Sequence, residues 1–281
     1  MIPAETHMGP VHLTVGDLRR SLDFYRSTIG LDVLDDEDGR ASLGAGREEL
    51  LVLHERPGAQ PAPGHTGLYH FALLLPDRPS LARWLAHAAR DRVPLTGASD
   101  HFVSEALYLR DPDHHGIEIY ADRPRERWEG QVSQRLTTLP LDTNDLLGEL
   151  EDPATEEFDG LPRGTTMGHV HLKVADVPAA VAFYRDLLGF DQMAEYGGQA
   201  AFFGAGGYHH HVGANIWESR GGQPAPEGAA ALHHATIVLP AESERDRVLA
   251  ILEEAGHDAA ESDWGPQVRD PSGNAIVLAA G

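Results

Sequence analysis

The residues of this chain that could do chemistry are chiefly its histidines. Four of the 17 histidines lie in short apolar stretches typical of strands: His12, His70, His171 and His234. Taken singly, each is more often a structural residue, but a buried imidazole must find a partner, and imidazoles on paired strands can be directed to one point. Glu118 adds a carboxylate in another apolar stretch. Two imidazoles and a carboxylate are the donor set that holds non-haem Fe(II), so the first half of the chain contains a candidate metal site.

The elements that must position these residues occur twice. Residues 8–32 match residues 167–191 at a constant offset of 159, and DPDHHGIEIY from Asp111 matches DPSGNAIVLA from Asp270 at the same offset. Such self-similarity predicts two copies of one design. We therefore expect an N-terminal half at residues 1–122, a packed linker at 123–164 and a C-terminal half at 165–281.

Each half contains a finer repeat. Alternating apolar residues from Val11 to Val15 predict a strand, and Asp17 is a typical N-cap for the helix that follows. Three short strands then complete the unit. The same order predicts four βαβββ modules, at about residues 8–57, 68–121, 167–220 and 232–280. The predicted fold class is α+β.

Composition excludes several functions. The chain has 22 basic and 44 acidic residues, a formal charge of −22, which disfavours nucleic acid and anionic membrane surfaces as partners. No stretch looks like a signal peptide or a membrane span, so a cytoplasmic protein is expected. There is no cysteine, so any metal must be held by His, Asp or Glu.

Three long motifs resemble one known family. GLYHFALLLP, SDHFVSEALYLRDPDHHGIEIYADRPRERW and GHVHLKVAD…AGGYHHHVGANIW are similar to the vicinal oxygen chelate superfamily, which includes glyoxalases, bleomycin-resistance proteins and extradiol dioxygenases. The chain looks most like the two-domain catechol 2,3-dioxygenase group. The resemblance implies that each half is a cupped mixed β-sheet barrel flanked by helices. It also implies metal ligands from the first strands of two modules and the last strand of the second, here His12, His70 and Glu118.

The same resemblance implies the catalytic residues. Tyr108 stands ten positions before Glu118, as a tyrosine does in the dioxygenases, and His101 matches a histidine slightly upstream of that tyrosine. Either His54 or His101 is the expected acid–base group.

The second half lacks some of these residues. Val277 stands where the first half has Glu118, and Gln267 where it has Tyr108, so we expect this half to be a scaffold. The alternative is a metal site within it, formed by His171, His234 and one of His210 and His211.

The function implied is extradiol cleavage of a catechol or hydroquinone-like aromatic with O2. Iron(II) is the expected cofactor, with manganese(II) and zinc(II) as alternatives, and homo-oligomerisation is left open. Two other readings are a glyoxalase-like metal-dependent isomerase or lyase, and a non-enzymatic protein that sequesters a drug-like small molecule.

Overall fold

The computed structural model describes all residues from Met1 to Gly281. Its strands are β1 His7–Val15, β2 Asp32–Glu37, β3 Arg40–Ala45, β4 Glu48–Glu55, β5 Gly67–Leu74, β6 Gly97–Asp100, β7 Ser104–Arg110, β8 Gly116–Asp122, β9 Leu139–Pro140, β10 Thr166–Lys173, β11 Asp191–Tyr196, β12 Ala200–Gly204, β13 Val212–Asn215, β14 Leu232–Leu239, β15 Gln267–Arg269 and β16 Ala275–Ala280. Its α-helices are α1 Leu18–Phe24, α2 Arg78–Arg90, α3 Val132–Arg135, α4 Thr143–Leu147, α5 Val177–Val181 and α6 Glu242–Glu254. A π-helical turn continues α1 over Tyr25–Ile29 and another continues α5 over Ala182–Leu187, while Arg125–Arg127 form a 3-10 turn.

The strands form two mixed sheets. One has seven strands in the order β15-β16-β14-β1-β4-β3-β2, and the other has nine in the order β11-β12-β13-β10-β5-β8-β7-β6-β9. Near the centre of each, the first strands of two modules pair antiparallel: β1 with β14, and β5 with β10.

This pairing confirms part of the sequence prediction and corrects part of it. The α+β class and the two duplicated halves are confirmed. The expectation that each half closes its own sheet is wrong, because the first module pairs with the fourth and the second with the third. The repeat defines a module but not its partner, since all four modules offer a similar first strand.

Duplicated local interactions position the same elements in both halves. Asp17 caps α1 by accepting a hydrogen bond from the backbone of Arg20, as predicted. The hydroxyl of Tyr25 donates to Asp111 at 2.9 Å, and Tyr184 donates to Asp270 at 3.0 Å in the second copy. Each aspartate also accepts two backbone N–H groups of its own turn, which fixes the entry into the last strand of its module.

The segment between the halves packs on the nine-stranded sheet. Its strand β9 pairs with β6, and the Trp128 indole is buried. The stretch from Leu136 to Thr138 reaches the cavity described below. None of the helices has the length and apolar character that crossing a membrane requires.

The two faces of the central strands differ in polarity. On β8, Ile117 and Ile119 join the main apolar core, while Glu118 between them points to the opposite face. The same alternation places Val170 and Leu172 of β10 in the core. The face of the nine-stranded sheet that carries Glu118 is called the inner face, and it holds the candidate site.

Candidate metal centre

Three buried side chains meet on the inner face: His70, Glu118 and His169. The Nε2 atom of His70 lies 2.9 Å from Oε2 of Glu118, and Nε2 of His169 lies 3.1 Å from the same oxygen. The three ligand atoms are within 4.8 Å of one another. We call these residues the ligand group.

Strand register explains why they meet. Ala72 on β5 lies opposite Glu118 on the parallel strand β8 and opposite His169 on the antiparallel strand β10. His70 is two residues before Ala72 and therefore points to the same face. The small alanine side chain leaves the space between the three larger ones free.

The protonation of the ligand group suits a metal ion. Burial by itself would raise the pKa of Glu118, but the adjacent His169 and His70 imidazoles hold it well below its ordinary value. Burial lowers the pKa of His169 to about 4, against the opposing effect of Glu118. Near neutral pH the group therefore contains an ionised carboxylate and a neutral His169, the forms that bind metal.

A second observation also fits a metal. The Nε2 atom of His70 is buried and has no aligned hydrogen-bond partner, in spite of its short distance to Glu118. An imidazole nitrogen without a protein partner is available as a ligand. Two histidines and one carboxylate match the donor set that holds non-haem iron and leaves positions open for substrate.

The structure does not bring His12 to this group. His12 lies on β1 of the other sheet, opposite His234, and its ring stacks on the His234 ring with centroids 3.8 Å apart. The cause is the module pairing, which joins the second module to the third and not to the first. The histidine that lies beside His70 and Glu118 is His169. The residue that corresponds to His169 in the first copy is Pro10. The motif GHVHLK, with alternate histidines on one strand face, was the signal that could have identified His169.

The histidines proposed for a separate second-half site are also dispersed. His234 belongs to the seven-stranded sheet. His211 accepts a hydrogen bond from the backbone of Ala205 through Nδ1. His171 and His210, in contrast, lie beside the ligand group: the His171 ring is 5.1 Å from that of His70, and the His210 ring is 4.1 Å from that of His169. The second half thus supplies side chains to this site, contrary to its expected role as a scaffold alone.

Tyr108 and His101 lie at the edge of the site, but His54 does not. Tyr108 stands directly opposite Glu118 in the β7–β8 pair, and its hydroxyl is 2.6 Å from Nε2 of His101. Nδ1 of His101 is 2.7 Å from the carbonyl oxygen of Thr137, which can only accept. His101 therefore donates from Nδ1 and accepts the Tyr108 proton at Nε2. His54 lies in the other sheet, 3.0 Å from Nδ1 of His12.

Burial affects the proton that this pair shares. It raises the pKa of Tyr108 well above its ordinary value, and the negative charge of Glu118 adds to the shift. The phenol of Tyr108 consequently stays protonated, with its O–H donated to His101 and its oxygen able to accept a hydrogen bond from a ligand of the cavity.

A cavity of about 520 Å³ opens beside the ligand group. Five aromatic side chains line it: Tyr69, Tyr108, Tyr196, Phe202 and Trp217. Leu136 and the two threonines after it close one side. A flat ring could lie between these aromatic surfaces with two oxygens directed to the ligand group.

Comparisons with known proteins identify the family of the chain. The family model described as "Glyoxalase/Bleomycin resistance protein/Dioxygenase superfamily" matches residues 7–119 and 166–278. A Bacillus subtilis (strain 168) protein named catechol-2,3-dioxygenase is 45% identical over 282 residues, covering 98% of each chain.

Solved structures share the fold. A Bacillus subtilis structure has a TM-score of 0.66 at 14% identity, covering 98% of this chain and 85% of its own. Glyoxalase I from Zea mays has a TM-score of 0.60 at 17% identity, covering 98% of this chain and 92% of its own. At these identities the likeness concerns the fold alone.

Proposed function

We propose that this chain, which belongs to the glyoxalase/bleomycin resistance protein/dioxygenase superfamily, is a metal-dependent extradiol dioxygenase that cleaves a catechol-type ring with O2. The observation that carries the proposal is the ligand group, two imidazoles and one carboxylate beside an aromatic-lined cavity. The relative named catechol-2,3-dioxygenase supports the same reaction.

We propose Fe(II) as the metal, held by His70, Glu118 and His169. When bound, the ion supplies Lewis acidity for two adjacent ring oxygens and open positions for O2 beside them. Manganese(II) and zinc(II) are the alternatives, and metal analysis distinguishes them.

The side chains around the ligand group bind the ring and handle its protons. Tyr69, Phe202 and Trp217 form aromatic walls that orient a flat substrate and exclude water. Burial holds the pKa of His210 well below its ordinary value, so its imidazole is neutral before substrate binds. Its place in the cavity lining makes it the proposed acceptor of a ring-hydroxyl proton. With its O–H given to His101, Tyr108 offers its phenol oxygen as a hydrogen-bond acceptor on another side of the cavity.

Two other functions receive less support. The ligand group has one carboxylate, whereas the glyoxalase-like alternative implies two, so the donor set favours O2 chemistry. A protein that only sequesters an aromatic ligand has no need for a buried carboxylate between two imidazoles, which is costly to desolvate.

The test combines metal content with O2 uptake in protein prepared anaerobically with Fe(II). The variants are Glu118→Ala and, as a matched control, Val277→Ala at the corresponding position of the other sheet. We expect about one iron per chain and catechol-dependent O2 uptake in wild type and the control, both lost in Glu118→Ala. Bound metal without O2 uptake on any catechol would contradict the dioxygenase and favour the isomerase or lyase. Absence of metal binding would favour sequestration.

A further inference from the structure

We infer that Asp122 and His209 are positioning residues that fix the tautomer and orientation of His210, leaving its Nε2 lone pair directed to the cavity. The inference rests on the proposed function, in which His210 accepts the substrate proton. Asp122 comes from the first half and the two histidines come from the second, so the arrangement exists only because the second and third modules pair.

Strand β8 connects this arrangement to the ligand group. Glu118, Tyr120 and Asp122 alternate along β8 and therefore point to the same face. The Tyr120 hydroxyl is 2.8 Å from that of Tyr208, the residue before His209. The strand that holds the carboxylate of the ligand group thus also holds the residues that support the histidine segment.

Hydrogen bonds define the proton positions. Nε2 of His209 lies 2.9 Å from Oδ1 of Asp122, and Nδ1 of His209 lies 2.8 Å from Nδ1 of His210. A carboxylate only accepts, so His209 donates from Nε2. A neutral His209 then has an unprotonated Nδ1, which accepts from Nδ1–H of His210.

The remaining nitrogen of His210 carries the lone pair. His210 lines the cavity, and its Nε2 makes no hydrogen bond to the protein. As in the carboxylate–histidine pair of a serine protease, the acceptor of a ring N–H selects which ring nitrogen is the base. Here Asp122 acts on His209, and His209 acts on His210.

Packing holds the rings in place. His209 is 1% exposed, and its ring lies 4.1 Å from the Tyr208 ring and 5.6 Å from Trp128. His210 is enclosed between His169 and Phe202, with centroids 4.1 and 5.1 Å away. Rings packed in this way cannot rotate to exchange their nitrogens without displacing several neighbours.

The other sheet lacks all three residues. Strands β4 and β13 hold the same register against β1 and β10. At the positions of His209 and His210, the first copy has Glu48 and Glu49. At the position of Asp122, the second copy has Gly281. The arrangement therefore occurs only beside the sheet that has the ligand group.

The first test reads the tautomer directly. Long-range ¹H–¹⁵N spectra of metal-free protein with ¹⁵N-labelled histidine, assigned with His210→Gln, should show His210 protonated at Nδ1 and His209 at Nε2. In Asp122→Asn the amide can donate to His209 Nε2, so that His209 is protonated at Nδ1 and donates to Nδ1 of His210. We then expect His210 to be protonated at Nε2. Asp246→Asn, at an exposed aspartate paired with Arg245, should leave the spectrum unchanged. A wild-type His210 protonated at Nε2 would overturn the inference, whatever happens in the variants.

The second test reads catalysis. We expect Asp122→Asn to lower kcat for catechol by about 100-fold, with metal content and KM nearly unchanged, because only the base is misdirected. His209→Gln should retain more activity than His209→Ala, since its amide can accept from His210 and donate to Asp122. An active enzyme whose kcat does not change in Asp122→Asn would refute the positioning role. The predicted tautomers in a protein without O2 uptake would instead refute the proposed function and leave the positioning intact.

Discussion

The two sheets share a central strand pairing and differ in the residues that flank it. In each sheet a histidine faces a histidine across the central strands, His70 with His171 in one and His12 with His234 in the other. Only the nine-stranded sheet adds a carboxylate, Glu118, at the next strand. The two sheets therefore share the paired histidines, and their capacity to bind a metal depends on the residues of the adjacent strands.

Two of the three ligand positions differ between the sheets. Val277 replaces Glu118, and Pro10 replaces His169. Without them the seven-stranded sheet packs its imidazoles against one another: His12 stacks on His234 at 3.8 Å, and His54 stacks on His233 at 4.5 Å. Their ring nitrogens contact one another in pairs, His12 with His54 at 3.0 Å and His233 with His234 at 2.9 Å, and no carboxylate lies among them. A buried carboxylate is costly unless partners hold it, and in the nine-stranded sheet Glu118 lies between the imidazoles of His70 and His169.

Removing His169 should have the largest effect. We expect His169→Ala to weaken metal binding by more than the roughly 10–100-fold typical of outer-shell partners, and to abolish O2 uptake, because a direct ligand is lost. Pro10→Ala, at the counterpart position, should change neither. Iron titration of the two variants measures this. Equal iron affinities would contradict the assignment of His169.

Installing the missing residues should create a second site. In Pro10→His combined with Val277→Glu, we expect metal content to rise to about two ions per chain. Without metal, Val277→Glu alone should lower the free energy of unfolding by about 3–5 kcal/mol, because its carboxylate is buried without a partner. Metal analysis and chemical unfolding with and without metal test both statements. A ratio that stays at one ion per chain would show that more than these two residues separates the sheets.

Tyr108 should matter for turnover and not for metal. We expect Tyr108→Phe to lower kcat by about 100-fold with unchanged metal content, since only the hydroxyl that links His101 to the cavity is removed. Gln267 lies opposite Val277 as Tyr108 lies opposite Glu118, so Gln267→Ala is the matched control. Steady-state O2 uptake measures both. Loss of iron in Tyr108→Phe would mean that the tyrosine supports the ligand group instead.

The smallest expected effect is the pH dependence of stability that arises from the buried histidines of the seven-stranded sheet. Burial, with the neighbouring imidazoles, lowers the pKa of His12 to about 2 and that of His234 to about 3. The pKa of His54 is lowered to about 4, by burial first and then by His233 and Arg40. Unfolded imidazoles take up protons below about pH 6.5, and these folded ones do not, so the free energy of unfolding falls as pH decreases from about 6.5 to 4.

His54→Gln tests this relation. Between pH 6.5 and 4 it should reduce the slope of the unfolding free energy by less than about 1.4 kcal/mol per pH unit, the limit for one proton, because His54 is partly exposed. His65→Gln, at a partly exposed loop histidine, serves as the control. Chemical unfolding curves at several pH values give the slopes. A slope unchanged in His54→Gln would show that this histidine protonates equally in both states.

The features that could be predicted from the sequence are those that depend on the spacing of nearby residues. Asp17, the Asp111 turn and the βαβββ order of the first three modules follow from short patterns, and Tyr108 faces Glu118 because one hairpin joins them. The fourth module differs from the prediction, with only β15 and β16 after α6. The partner of each module depends on contacts between distant segments, and the same strand pattern allows more than one pairing. That ambiguity led to His12 in place of His169.

Anomalous diffraction from crystals grown anaerobically with Fe(II), with data collected at the iron absorption edge, tests the central claim most directly. We predict one strong peak per chain, within bonding distance of His70, Glu118 and His169. A peak among His12, His54, His233 and His234, or no peak at the ligand group, would contradict the account.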